Sequence, residues 1–74
     1  MDEEKLIITI ERGPELYEAW AENIAGIYGM GESVSLVKDD ILKAIELYKE
    51  INDDKYIPEL LKSNFDIEWH FLQE

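Results

Sequence analysis

Few side chains in this sequence have the types and spacing that catalysis requires. His70 is the only histidine, and an imidazole with a pKa near neutrality is suited to general-base catalysis. No serine or cysteine nucleophile stands at a recognisable spacing from it, so we expect His70 to be an exposed strand residue. Gly29-Met30-Gly31 runs into Glu32 and not into the Lys-Ser/Thr of a phosphate-binding loop. The sequence therefore predicts a binding protein with no catalytic residues, not an enzyme.

The second feature is a strong negative charge. The chain has 18 acidic and 7 basic residues and a formal net charge of −11, spread about equally over its two halves. Such a field repels nucleic acid and attracts basic proteins. The five lysines after Val37 are interleaved with acids, so the cluster that direct nucleic-acid binding needs is missing. A basic protein partner is the prediction; the alternative is that the charge only keeps the protein soluble.

The length of 74 residues predicts a single domain, residues 1–74. A chain of this size buries only about 60% of its unfolded surface, and cysteine is absent, so neither disulfides nor a Cys-containing zinc site reinforces the core. We therefore expect a homodimer, no cofactor and no metal ion. The acidic start Met1–Glu4 is unlike a signal peptide, and no apolar run approaches about 20 residues. We expect a soluble cytoplasmic protein that does not contact a membrane.

Three strands are predicted in the first half. Residues 5–10 are short and rich in β-branched side chains, as in a strand covered on both faces. Residues 11–15 contain a Gly-Pro pair and are predicted to form the turn. The next strand alternates Tyr17, Ala19 and Ala21 on one face with Glu18, Trp20 and Glu22 on the other. The small alanines suit a face that a helix covers closely, which places Trp20 on the opposite, more open face. Residues 27–31 are predicted to form a short third strand.

A helix and a last strand are predicted in the second half. Ser33, or alternatively Ser35, is a good N-cap, and the helix is expected to stop near residues 52–54. Pro58 opens a short helical turn that Asn64 ends. The apolar stripe of the helix consists of Val34, Val37, Ile41, Ala44, Ile45 and Tyr48. The last strand has a period of two, with Phe65, Ile67, Trp69 and Phe71 against Asp66, Glu68 and His70.

These elements predict an α+β fold of the order β-β-β-α-β. An antiparallel three-stranded meander carries one main helix on one face, and the fourth strand returns to pair beside the first. A right-handed crossover through the helix makes this last pairing parallel.

This order resembles the HicB-like antitoxin domain. Tyr17, Ala19 and Ala21 stand where the family has an aromatic residue and two valines, and residues 22–27 stand at its Pro-Asp-Leu-Pro-Gly-Cys turn, without the prolines and the cysteine. Gly31-Glu32-Ser33 corresponds to Gly-Asp-Thr. Residues 44–48 and 57–59 are similar to the helix end and to the Ile-Pro-Glu segment of the family.

The resemblance implies a partial ribonuclease-H-like fold and a function in binding. HicB-like domains sequester a small basic toxin that cleaves messenger RNA, often as dimers or tetramers, and usually carry an added DNA-binding region. The sequence stops after the last strand, so we expect a standalone domain without that region.

The ribonuclease-H analogy also raises the question of a two-metal carboxylate site, which needs several acids around paired cations. Glu11, Glu18, Glu22 and Asp66 or Glu68 are candidates, but no fixed spacing selects a subset. We expect these acids to be solvated residues at the strand edges.

Six residues are predicted to bind the partner. Trp20, Tyr28 and Met30 provide apolar anchoring, and Glu18, Glu22 and Glu32 face lysine or arginine, although aromatic residues are more often core than site. Two other functions stay open. One is a homodimerising regulatory module without a toxin partner, and the other is an acidic DNA mimic.

Overall fold

The fold is a four-stranded sheet with one long helix on one face. The computed structural model describes residues 5–62 and 65–72. The strands are in the order β3-β2-β1-β4, where β1–β2 and β2–β3 are antiparallel and β1–β4 is parallel. The predicted β-β-β-α-β order and the parallel fourth strand are confirmed. The elements are β1 (Lys5–Arg12), β2 (Tyr17–Ala21), β3 (Tyr28–Gly31), α1 (Val34–Ile51), a 3₁₀ turn (Asp54–Tyr56), α2 (Glu59–Lys62) and β4 (Asp66–Phe71).

The first strand is longer than the sequence predicted. Glu11 and Arg12 belong to β1, where they pair with Glu18 and Tyr17 of β2, so their assignment to the turn was wrong. The turn begins only at the Gly13-Pro14 pair, and the amide of Gly13 donates to the carbonyl of Leu16 at 2.8 Å. Extended pairing with β2 overrides the low strand propensity of the two charged residues.

The long helix begins and ends near the predicted positions. Ser33 is the N-cap, and its hydroxyl accepts a hydrogen bond from the amide of Leu36 at 3.2 Å. The alternative cap Ser35 lies inside the first turn. Asn52 follows the last helical residue, as expected. The centre of the predicted stripe is buried, and its flanking members are partly buried against the same core.

Small residues let α1 lie close to the sheet. Ala19 and Gly29 pair across β2 and β3 and face the helix. A Cβ atom on Gly29 would lie 3.0 Å from the Ile41 side chain, and one on Gly31 would lie 2.7 Å from the backbone nitrogen of Val37. A larger side chain at Gly29 or Gly31 would therefore push α1 away from β3.

The chain returns to β4 through short elements. The 3₁₀ turn after α1 was not predicted, whereas α2 follows Pro58 as expected, with the amide of Leu61 donating to the carbonyl of Pro58 at 3.0 Å. The predicted stop at Asn64 lies outside the described residues. The period of two in β4 is confirmed: Ile67 and Trp69 pack against the core, and Glu68 lies on the other face.

The core lies between α1, α2 and the sheet. Its buried members are Leu6, Ile8, Ile10, Ala19, Ile24, Ile27, Val37, Ile41, Ile45, Leu60 and Leu61. No helix in the described part of the chain has the length and apolarity to cross a membrane.

Candidate protein-binding face

The sheet face opposite α1 holds most of the predicted binding residues. In β1, the buried Leu6, Ile8 and Ile10 point to the helix, so the residues between them point to the other side. The strand register extends this alternation across the sheet. We call this surface the open face, and it carries Ile7, Thr9, Glu11, Glu18, Trp20, Tyr28, Met30, Glu68 and His70.

Four of the six predicted residues form one patch on the open face. Trp20 pairs with Tyr28, and Glu18 pairs with Met30, and directly opposed side chains lie about 5 Å apart at Cβ. Tyr28 is 68% exposed and Met30 is 55% exposed. Trp20 is half-buried, but it lies on the face away from the core. Adjacent aromatic, thioether and carboxylate groups are therefore available on the sheet surface.

The fifth predicted residue, Glu22, holds Trp20 in place. Its Oε2 atom accepts a hydrogen bond from the Thr9 hydroxyl at 2.6 Å and another from the indole Nε1–H of Trp20 at 3.1 Å. Thr9 is 7% exposed, and among residues 5–62 and 65–72 it is the polar residue that is buried. Buried polar groups need such partners. The hydrogen bond from its indole N–H therefore orients Trp20 on the sheet.

The sixth predicted residue, Glu32, lies at the outer edge of the patch. It follows β3 directly and lines a groove. The other walls of this groove include Leu16, in the loop before β2, and Leu36, in α1. The structure therefore places Glu32 beside Met30 but at the boundary between the sheet and the helix.

The β4 side of the open face has a different polar character. The ring nitrogen Nε2 of His70 donates a hydrogen bond to Oε2 of Glu68, and Lys5 Nζ lies 3.9 Å from the other Glu68 oxygen. The hydrogen bond from His70 lowers the pKa of Glu68 below its ordinary value, and the charge of Lys5 adds a smaller effect. His70 is an exposed strand residue, as predicted.

The carboxylates considered for a metal site lie on the same face. Glu11 and Glu18 are neighbours in the β1–β2 register, whereas Glu68 is engaged by His70 and Lys5. Within residues 5–62 and 65–72, no group of three or more histidine and acidic side chains is placed to hold a metal ion.

Sequence reasoning missed two residues of this region. Thr9 is the one hydroxyl-bearing residue within the apolar run of β1, between Ile8 and Ile10. A polar side chain in such a run was the available signal that it has a hydrogen-bond partner. Asp40 reaches the edge of β3, where its Oδ2 atom accepts a hydrogen bond from the Met30 amide at 2.9 Å. No local pattern identifies that contact, because it depends on how α1 lies across the sheet.

Comparison with protein-family models, with curated proteins and with solved structures finds no significant match for this chain. The resemblance to HicB-like domains stays a prediction from the residues quoted above.

Proposed function

We propose that this protein is an antitoxin-type binding domain that sequesters a small basic protein. The observation that carries the proposal is the exposed patch of Trp20, Tyr28 and Met30 on the open face, bordered by Glu18. The net charge of −11 favours a cationic partner over an anionic one. The resemblance to HicB-like domains supports a messenger-RNA-cleaving toxin as that partner.

The patch has the chemistry of a binding hot spot. Tryptophan and tyrosine dominate such sites, and they supply contact area at a low conformational-entropy cost because each has only two side-chain torsions. Met30 is flexible enough to fit an irregular surface. Because Glu22 already orients the indole of Trp20, little further entropy is lost there on binding.

The acidic residues give the partner its orientation. Glu18 borders the aromatic patch on β2 and Glu32 borders it at the end of β3, so two carboxylates are available to lysine or arginine. Glu22 contributes differently, since one of its oxygens already bonds Thr9 and Trp20. We assign it a positioning role. A partner that binds RNA through a basic surface would lose that surface to this acidic face, and sequestration would inhibit it by occlusion.

The test uses the purified chain and, as the candidate partner, the product of a neighbouring reading frame chosen for being short and rich in lysine and arginine. Trp20→Ala is expected to weaken binding at least about tenfold, a loss of about 1.4 kcal/mol, and Glu18→Lys to weaken it further through charge reversal. Leu42→Ala is the matched control, because Leu42 is an exposed side chain of α1 outside the open face.

Calorimetric titration at low salt measures the affinities, and circular dichroism verifies that each variant is folded. Trp20→Phe keeps an aromatic ring without the indole N–H and should bind more tightly than Trp20→Ala. Absence of binding by the unaltered chain at low salt would remove the proposal.

A homodimerising regulatory module is the second candidate function. Leu47 is 54% exposed and Ile51 is 71% exposed one turn apart on α1, beside the buried stripe. Exposed apolar side chains at this spacing are available for a contact with a second helix. Sedimentation decides the matter, because a strictly monomeric protein across micromolar concentrations contradicts this function.

A further inference from the structure

At the outer edge of β3, a side chain and not another strand satisfies one backbone amide. β3 stands at the end of the strand order, and its Met30 amide donates to Oδ2 of Asp40 at 2.9 Å. Amide directions alternate along a strand. The Met30 amide therefore points away from β2, and Asp40 on α1 occupies the place that a further strand would take.

A carboxylate cap of this kind is replaceable. Edge strands present unpaired backbone groups that can pair with another chain, and Asp40 satisfies one donor without forming a ladder. A backbone carbonyl of an added strand satisfies the same donor. Asp40 is partly exposed, so its side chain can turn towards solvent or towards a cation when the carbonyl replaces it.

A groove runs beside this edge, between β3 and α1. It has a volume of about 360 Å³ and is lined by Leu16, Met30, Gly31, Glu32, Leu36, Asp39, Asp40 and Lys43. Its apolar wall includes Leu36, which is 52% exposed. The groove is large enough for an apolar side chain of an added strand, and its rim carries three carboxylates and one lysine.

We propose that the β3 edge binds an extended basic segment by strand addition. The backbone of the segment pairs with β3 and takes over the Met30 amide, one apolar side chain enters the groove against Leu36, and its lysine or arginine residues pair with Glu32, Asp39 and Asp40. Main-chain hydrogen bonds supply affinity in such complexes, and pockets for alternate side chains supply specificity.

Charge selects a basic segment and excludes a second copy of this chain. Pairing two β3 edges would bring Glu32, Asp39 and Asp40 of one copy against the same acids of the other, between molecules that each carry −11. Like charges placed together in an interface suppress such pairings.

This inference goes beyond the proposed function, because the site is the sheet edge and not the open face.

The test uses a short synthetic peptide that alternates lysine with valine or leucine, and a twin that is N-methylated at every backbone amide, so that neither edge of the twin can donate to β3. The twin keeps the charge and the side chains but cannot form the ladder. Nuclear magnetic resonance of the ¹⁵N-labelled chain is expected to show shifts at Met30, Gly31 and Asp40. Methylation is expected to weaken binding at least about tenfold, since it removes several backbone hydrogen bonds.

Variants of the protein complete the design. Leu36→Ala is expected to weaken peptide binding, whereas Leu42→Ala, at an exposed leucine of the same helix that does not line the groove, leaves it unchanged. Asp40→Asn keeps an acceptor for the Met30 amide and should weaken binding through the lost charge.

Three results would overturn the proposal: no binding, equal affinity of the peptide and its methylated twin, or shifts centred on the Trp20 indole. Trp20→Ala should bind the peptide as the unaltered chain does. Met30 and Glu32 border both sites, but Trp20 belongs to the open face alone, so peptide binding that survives Trp20→Ala separates the edge site from the open-face function.

Discussion

At the scale of single residues, the open face combines fixed and adaptable groups. The hydroxyl of Thr9 and the indole of Trp20 share one oxygen of Glu22, which fixes one aromatic ring on the sheet. Tyr28 and Met30 beside it are exposed and free to adjust. A rigid anchor surrounded by adaptable contacts is an arrangement that binding surfaces use to limit the entropy cost of association.

The hydrogen bond between His70 and Glu68 leads to a prediction about the pKa of Glu68. A carboxylate with a lowered pKa stabilises the fold above its unfolded pKa, and this contribution disappears as the pH falls through the lowered folded value. His70→Ala removes the hydrogen bond that lowers the pKa of Glu68 most, so the pKa of Glu68 is expected to rise towards its ordinary value. A pH titration of the Glu68 side-chain carbon by nuclear magnetic resonance measures the shift.

The matched control is Lys5→Ala. Lys5 also lowers the pKa of Glu68, but it is the smallest of the causes, and its ammonium group is 3.9 Å from the carboxylate. The expected shift is therefore smaller than in His70→Ala. An unchanged Glu68 pKa in His70→Ala, or a larger shift in Lys5→Ala, would refute the assignment.

At the scale of the elements, the sequence predicts the helices and strands whose apolar residues recur with a regular period. The stripe from Val34 to Tyr48 and the alternation in β4 reflect burial on one face, and such burial is visible in a single sequence. The prediction failed at Glu11 and Arg12, because their extension is imposed by pairing with β2. Long-range pairing leaves no local signal in the residues that it organises.

The site shows the same limit. The alternation of β2 correctly placed Trp20 and Glu18 on the face away from the helix. The hydrogen bond from Thr9 to Glu22 and the contact of Asp40 with β3 join residues that are 13 and 10 positions apart in sequence. Their geometry follows from the packing of whole elements, which pattern reasoning does not describe.

The start of α1 allows a direct test between two serines. Ser33→Ala removes the hydroxyl that accepts the Leu36 amide, and the loss of such a cap costs about 1 kcal/mol. Ser35 lies within the first turn and is exposed, so Ser35→Ala is expected to be neutral or to stabilise by a few tenths of a kcal/mol. Urea denaturation of both variants measures the difference. A larger loss in Ser35→Ala than in Ser33→Ala would contradict the capping assignment.

At the scale of the whole molecule, net charge acts on the fold and on binding in opposite directions. The radius of gyration is 12.6 Å, and at about 0.01 M salt the screening length is about 30 Å, so the charges across the entire molecule repel one another. At about 1 M salt that length is about 3 Å, and only adjacent charges interact. The same screening weakens the attraction of a basic partner.

Raising sodium chloride over this range is therefore expected to raise the melting temperature of the isolated chain, because screening relieves the self-repulsion of a charge of −11. Over the same range, the association rate with a basic partner is expected to fall, while the dissociation rate changes little. Circular dichroism follows the melting temperature, and stopped-flow tryptophan fluorescence follows association. Potassium chloride at equal ionic strength is the control for ion-specific effects. A melting temperature that falls with salt would mean that attractive ion pairs such as Lys62 with Asp54 outweigh the net repulsion.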